Sequence, residues 1–176
     1  MEFPKRKTMR LRGHNYNAPG SYFVTVCVKN KECLLSEIVG TGVLDGPQSV
    51  LSPYGQIADK HIRAMADFYE QIVVENYVIM PNHIHFLLRV IEHQSVNYDR
   101  NGPSRTPVPT QQNSAIARFV STFKRFCNKE YGKNIWQYRS HDHVVRNAED
   151  RARIRNYIEN NPLHWKKDCF FPQYPS

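Results

Sequence analysis

The sequence predicts an α+β fold: an antiparallel sheet carrying helices on one face. Three observations predict it. Runs rich in β-branched and aromatic residues at 22–28, 71–80 and 83–90 read as strands. Amphipathic helical spacing follows Ser52 and again Ser114, and a third helix opens at Asn147. The order of strand, hairpin, helix, two strands, linker and two helices suits an antiparallel sheet backed by helices.

Each element has a local reason. Tyr16-Asn17-Ala18-Pro19-Gly20 is a turn signal, and Tyr22–Val28 beyond it is the first strand. Residues 34–44, broken by Gly40 and Gly42, read as a hairpin. Ser52-Pro53 pairs an N-cap with proline at the first helical position. Ile57, Ala58, His61, Ile62, Met65 and Tyr69 then share one face. Residues 71–80 and 83–90 form two strands around a Pro81-Asn82 turn. Residues 91–113 are polar, apart from Ile91 and Val96, with three prolines close together, which predicts a flexible linker. Ser114 caps a helix with Ile116, Phe119, Val120, Phe123, Phe126 and Cys127 inward and Arg118, Lys124, Arg125 and Lys129 outward. Gly132 ends it. Residues 136–145 read as a short extended segment. Asn147 opens the last helix, with Asp150 in the capping-box position, and Pro162 stops it.

The 176 residues suit one domain, 1–176, with a basic arm at 1–15 and the linker at 91–113. No apolar run approaches a membrane span and no secretory leader is evident, so membrane and secreted classes are set aside. Cys27, Cys33, Cys127 and Cys169 lack C-x-x-C spacing and read as reduced core thiols of a cytosolic protein. Net charge is +8, and it is polarised. Residues 1–12 hold five basic side chains and one acid; residues 118–155 hold ten and four. A field of that kind points to phosphate, and so to nucleic acid.

In His83-Ile84-His85-Phe86-Leu87-Leu88 the strand alternation sends Ile84, Phe86 and Leu88 to the core. It sends His83 and His85 to the other face, where two imidazoles can share one divalent cation. A hydrogen-bonded pair of histidines fits the same pattern, and a rival pair stands at His141 and His143. On the last helix Tyr157 and Asn161 share a face, placing a phenol beside an amide oxygen. Tyr157 as a core residue and Asn161 as a helix end are equally plain readings of the spacing.

Tyr77-Val78-Ile79-Met80-Pro81-Asn82-His83-Ile84-His85 resembles the signature of the single-strand DNA transposases with an HUH motif, and more narrowly of the REP-associated tyrosine transposases. Gly20–Thr25, Phe123-Lys124-Arg125, Ile135-Trp136-Gln137, His143–Arg146 and Tyr157-Ile158-Glu159-Asn160-Asn161-Pro162 match in the same order. The resemblance implies a ferredoxin-like sheet, the HUH endonuclease fold. It implies Mg²⁺ or Mn²⁺ on His83 and His85 with Asn161 as third ligand, and Tyr157 as the nucleophile. The implied activity is nicking and rejoining of single-stranded or hairpin DNA through a 5′-phosphotyrosine, in the cytoplasm with the nucleoid. Lys124, Arg125, Arg146 and Arg12 are then candidate phosphate contacts, and Trp136, Tyr138 or Tyr16 candidate platforms for unpaired bases. Some such enzymes donate the tyrosine helix between subunits, so a homodimer is a further expectation. A domesticated, non-catalytic DNA- or RNA-binding regulator, or a rolling-circle initiator or relaxase, would share the histidine pair.

Overall fold

A computed structural model describes residues 17–40, 46–92 and 114–172. The basic arm, Arg12, Tyr16 and nearly all of the 91–113 segment lie outside them. Four strands form one antiparallel sheet: β1 (Gly20–Cys27), β4 (Ile72–Ile79), β5 (His83–Val90) and β6 (His141–Val144), in the order β4-β5-β1-β6. A separate hairpin pairs β2 (Ser36–Val39) with β3 (Gln48–Leu51). The expected hairpin at 34–44 is therefore displaced: Ile38 faces Ser49 and Ser36 faces Leu51. The partner strand was not legible because pairing is a tertiary choice, and Val50-Leu51 supplies a second apolar stretch. The extended segment expected over 136–145 also shortens. Only its last part pairs along β1, while Trp136 makes a single bridge to Val28.

Three helices follow from their caps. α1 (Pro53–Phe68) starts where the Ser52 hydroxyl accepts from the Gly55 N–H at 3.1 Å. α2 (Ala115–Tyr131) starts with the same device at Ser114 and ends at Gly132, whose φ of 69° is left-handed. α3 (Ala148–Asn160) starts where Asn147 accepts from the Asp150 N–H at 2.8 Å. Pro162 does not end the chain's coiling: a 3₁₀ turn (Pro162–Lys167) continues from Asn161. Among the described residues no helix is long and apolar enough to cross a membrane.

The sheet has two unlike faces. On one, Tyr22, Val24, Val26, Ile84, Phe86 and Leu88 pack against α1 and α2 through Ile62, Met65, Phe119 and Phe123, and this is the main core. Helices α1 and α2 thus take the expected place. On the other face, Leu87, Phe23 and Val78 meet Ile154 and Ile158 of α3. A β-bulge between Val74 and Asn76 interrupts the β4–β5 register, and the buried Glu75 carboxylate reaches Arg89 of β5 and Arg151 of α3. The Arg151–Glu75 pair fixes α3 over the β4–β5 side of the sheet. Cys27 and Cys127 are buried, as expected, but Cys33 and Cys169 are exposed because both sit on loops at the surface.

Candidate metal and nucleophile centre

β5 begins at the Pro81-Asn82 turn, so its first and third side chains stand at the end of the sheet beneath α3. His83 and His85 turn their Nε2 atoms toward each other, 3.0 Å apart. Each ring is anchored at its other nitrogen. Thr25, opposite His85 in the β1–β5 register, holds His85 Nδ1 at 2.8 Å. Asn82 Oδ1 lies 2.9 Å from His83 Nδ1. The Asn82 amide cannot turn freely, because its Nδ2 donates to the carbonyls of Lys31 and Phe170. Its oxygen therefore accepts the His83 Nδ1–H, and the His83 Nε2 lone pair points into the site. Anchoring of this kind sets the tautomer of metal-binding imidazoles.

The last turn of α3 brings Tyr157 and Asn161 to the same place. The Tyr157 hydroxyl lies 3.4 Å from His85 Nε2, and Phe23 meets its ring edge-on. Asn161 is buried, and its Nδ2 donates to Asp168 Oδ2 at 3.2 Å. Its Oδ1 is buried without a hydrogen-bond partner among the described residues. A buried orphan oxygen is costly unless something positive meets it. Asp168 completes the group: its Oδ2 is also 3.4 Å from the Tyr157 hydroxyl, and its Oδ1 accepts from the Phe170 N–H. One ligand atom each from His83, His85 and Asp168 fall within 4.8 Å of one another. Two neutral nitrogens, an amide oxygen and a carboxylate suit a divalent cation of the Mg²⁺ or Mn²⁺ kind.

The face opposite the core to which alternation sends the two histidines is itself covered. His83 is 0% and His85 2% exposed. The strand pattern assigned them correctly to the face opposite Ile84 and Phe86, but the chain beyond Pro162 folds back over that face. Trp165 and Phe170 cover His83, with ring centroids 6.0 and 4.5 Å away. Burial lowers the His83 pKa to about 3, and burial with the neighbouring His83 lowers that of His85 against the pull of Asp168. Both rings are neutral at physiological pH. Tyr157 remains 41% exposed, so it is not a core tyrosine. Burial of its hydroxyl, and then the Asp168 carboxylate, push its pKa up to about 12. Without a cation the phenol holds its proton; a cation among these ligands would act in the opposite direction.

The remaining expected residues scatter. Arg125 and Arg146 are exposed, and Arg125 lies over the Phe126 ring. Lys124 is half-buried; its Nζ donates to the Gln137 carbonyl at 2.7 Å, and burial lowers its pKa to about 8. Trp136 is only 1% exposed and packs against Phe123 and Tyr131, so it is a core residue and not an open platform for bases. The β-bridge to Val28 draws it inward. The rival pair is divided: His141 is exposed, while His143 pairs with Asp150 at the head of α3. Thr25 and Asn82 were missed as positioning residues, although strand register and the Pro-Asn turn carry that signal. Asp168 left no signal at all, since only the fold-back after α3 brings it in. All of these groups come from one chain.

No family model matches the sequence. A protein of Haemophilus influenzae, described as uncharacterized, is 32% identical over 175 residues, covering 94% of this chain and 93% of its own. Among solved structures, a REP-associated tyrosine transposase bound to a REP hairpin superposes with a TM-score of 0.55 at 20% identity, covering 83% of this chain and 68% of that one. A putative transposase from Deinococcus radiodurans is 19% identical, with a TM-score of 0.39 over 86% of this chain and 97% of that one.

Proposed function

We propose, for a chain that belongs to one family with the Haemophilus influenzae protein and has the fold of a REP-associated tyrosine transposase, that it nicks and rejoins single-stranded DNA through a phosphotyrosine. The observation that carries this reading is the convergence of two histidine Nε2 atoms, the orphan Asn161 Oδ1 and the Tyr157 hydroxyl. A structural histidine pair would not require a partly exposed phenol and an unpaired amide oxygen beside it.

His83, His85 and Asn161 would hold one Mg²⁺ or Mn²⁺, with the Asp168 carboxylate within reach of the same point. Bound there, the ion would neutralise charge on a scissile phosphate and favour the ionised phenol. The rest belongs to the chain. Tyr157 Oη attacks phosphorus in line, the P–O3′ bond breaks, and the 3′-oxygen leaves. The phenol's proton passes to the nearest carboxylate oxygen, Asp168 Oδ2, and the departing 3′-oxygen takes a proton from solvent. The product is a 5′-phosphotyrosine with a free 3′-OH, and the ester energy is retained so that another 3′-OH can reverse the step. Edge-on contact with Phe23 and the helical position of Tyr157 hold the phenol in place between turnovers. For substrate we infer hairpin-bearing single-stranded DNA, a choice supported by the structural neighbour's being bound to a REP hairpin.

Tyr157→Phe removes only the hydroxyl. Its two hydrogen bonds are long at 3.4 Å, so stability should change by about 1 kcal/mol or less. With a hairpin oligonucleotide and Mn²⁺, the wild-type chain should yield a protein–DNA adduct on a denaturing gel, and the variant none. An adduct in the variant would move the nucleophile elsewhere. Cleavage by wild type without any adduct would make water the nucleophile and end the transposase reading.

A further inference from the structure

The candidate centre is split between two elements. His83 and His85 belong to β5, whereas Tyr157 lies in α3 and Asn161 caps its end. Its geometry is therefore only as fixed as the seating of that helix on the sheet. We propose that Glu75, the extra residue of the β4 bulge, is a positioning residue that sets where α3 brings the Tyr157 hydroxyl. This inference rests on the phosphotyrosine reading above.

The bulge reverses the alternation of β4. Before it Ile72 and Val74 face the main core; after it Tyr77 and Ile79 do. Val78 falls on the other face, with Ile154 and Ile158. Glu75 stands opposite no residue of β5, since Val74 pairs with Leu88 and Asn76 with Leu87. Two successive side chains, Glu75 and Asn76, thus both reach α3. A regular strand would send one of them into the apolar core. The Arg151 fork takes both Glu75 carboxylate oxygens, Nε donating to Oε2 at 2.9 Å and Nη2 to Oε1. Asn76 Nδ2 donates to Glu159 Oε1 at 3.1 Å. Arg151 and Glu159 bracket Tyr157 along the helix, about 12 Å apart on its axis. Two attachments, one on each side of the tyrosine, resist both sliding and rolling of α3.

The other contacts of α3 are weaker guides. Its apolar seat is small, Ile154 and Ile158 on Phe23, Val78 and Leu87, and apolar contact has no direction. Asp150 meets His143 of β6 by one bond, on a ring that is half exposed. The Tyr157 hydroxyl's own bonds are long at 3.4 Å. The Glu75 side chain, by contrast, is 4% exposed. A buried ion pair stabilises no better than well-packed apolar side chains of similar volume. What a two-pronged arginine–carboxylate pair adds is fixed geometry. In-line attack depends on it, since a misplacement of about 1 Å can cost on the order of 100-fold in rate. Arg89 supplies an internal control: it meets the same carboxylate at 2.8 Å but stands on β5, in the sheet itself.

The test follows single-turnover adduct formation by the full-length protein with saturating hairpin oligonucleotide and Mn²⁺. Affinity for the same oligonucleotide is read by anisotropy, and hydrogen exchange is measured on the metal-free protein. Glu75→Gln and Arg151→Gln should each slow the adduct about tenfold or more, while Kd stays within about twofold of wild type. Their double variant should be no slower than the slower single one. Amides of α3 should exchange faster in both variants, and those of α1 and α2 should not. Arg89→Gln should leave the adduct rate and α3 exchange near wild type. Arg151 is 42% exposed and its loss leaves Glu75 paired with Arg89, so that variant keeps the test valid if Glu75→Gln proves unstable. Equal slowing by Arg89→Gln and Arg151→Gln would reduce Glu75 to a buried charge that needs neutralising, and so overturn the proposal. An unchanged rate in Arg151→Gln, or a Kd that rises in step with the lost rate, would overturn it too. In each of these cases the wild-type adduct leaves the phosphotyrosine reading standing. If the wild-type chain forms no adduct, that reading ends, and the positioning role of Glu75 ends with it.

Discussion

His83 and His85 are held neutral by burial, and this sets how the metal-free protein responds to acid. An unfolded histidine takes up its proton near pH 6.5, whereas folded His83 does so only near 3. Between those values the unfolded state binds more protons, so stability rises with pH and is lost as pH falls below about 6.5. His83 alone should contribute about 2 kcal/mol to that loss by pH 5, and His85 shifts in the same direction. Urea melts of metal-free protein at pH 7 and pH 5 should show the loss, and His83→Ala/His85→Ala should flatten the difference. A parallel pH response in the double variant would place the acid sensitivity elsewhere. The double variant should also be less stable at neutral pH, because both rings are buried and Thr25 and Asn82 lose their partners. At this scale the sequence was informative where placement is local: the two histidines share the strand face that alternation assigned them, and Tyr157 and Asn161 share the helix face that their spacing gave. Asp168 and the burial of the pair were not legible, since both depend on a fold-back that no periodicity encodes.

The elements show the same division. Ser52, Ser114 and Asn147 cap their helices through side chains acting on the third residue onward, a short-range device that composition reveals. The seating of α1 is different, because it depends on a distant backbone. The Ser52 hydroxyl donates to the Leu34 and Leu35 carbonyls, and the Leu35 carbonyl also accepts the Ser52 N–H. Gly55 lies against that same oxygen: a Cβ there would stand 2.0 Å from Leu35 O, backbone that cannot swing aside. Glycine inside a helix usually costs about 1 kcal/mol relative to alanine, so Gly55→Ala should stabilise by propensity alone. Here the clash dominates, and we expect a loss of at least about 2 kcal/mol in urea unfolding. Unchanged or improved stability would mean that α1 does not dock on the β2 strand entry. Nothing in the sequence distinguishes this glycine from one merely tolerated, because the atom it avoids is twenty residues away.

Over the whole molecule, one face of the sheet is given to packing and the other carries the candidate centre. The large core under α1 and α2 leaves α3 with only a small apolar contact, so the face that carries the candidate centre is built from polar residues under a short cover. The basic excess at 118–155 survives folding only in part. Arg151 and Arg153 are committed to Glu75 and Asp150, while Arg118, Arg125, Arg139, Arg146 and Arg155 are exposed. If about five such cations meet phosphates of a single strand, the log–log slope of affinity against salt should be near −3.5. Binding to a hairpin with single-stranded flanks should then weaken on the order of 100-fold between 50 and 200 mM salt. Arg125→Ala should reduce the slope by about 0.7, and Arg151→Ala should leave it unchanged, since the Arg151 charge is answered by the Glu75 carboxylate. The comparison separates charge that faces a partner from charge used to hold α3 in place. Equal effects from the two substitutions would mean that the excess acts as a diffuse field, and a flat slope in the wild-type chain would remove phosphate from the account altogether.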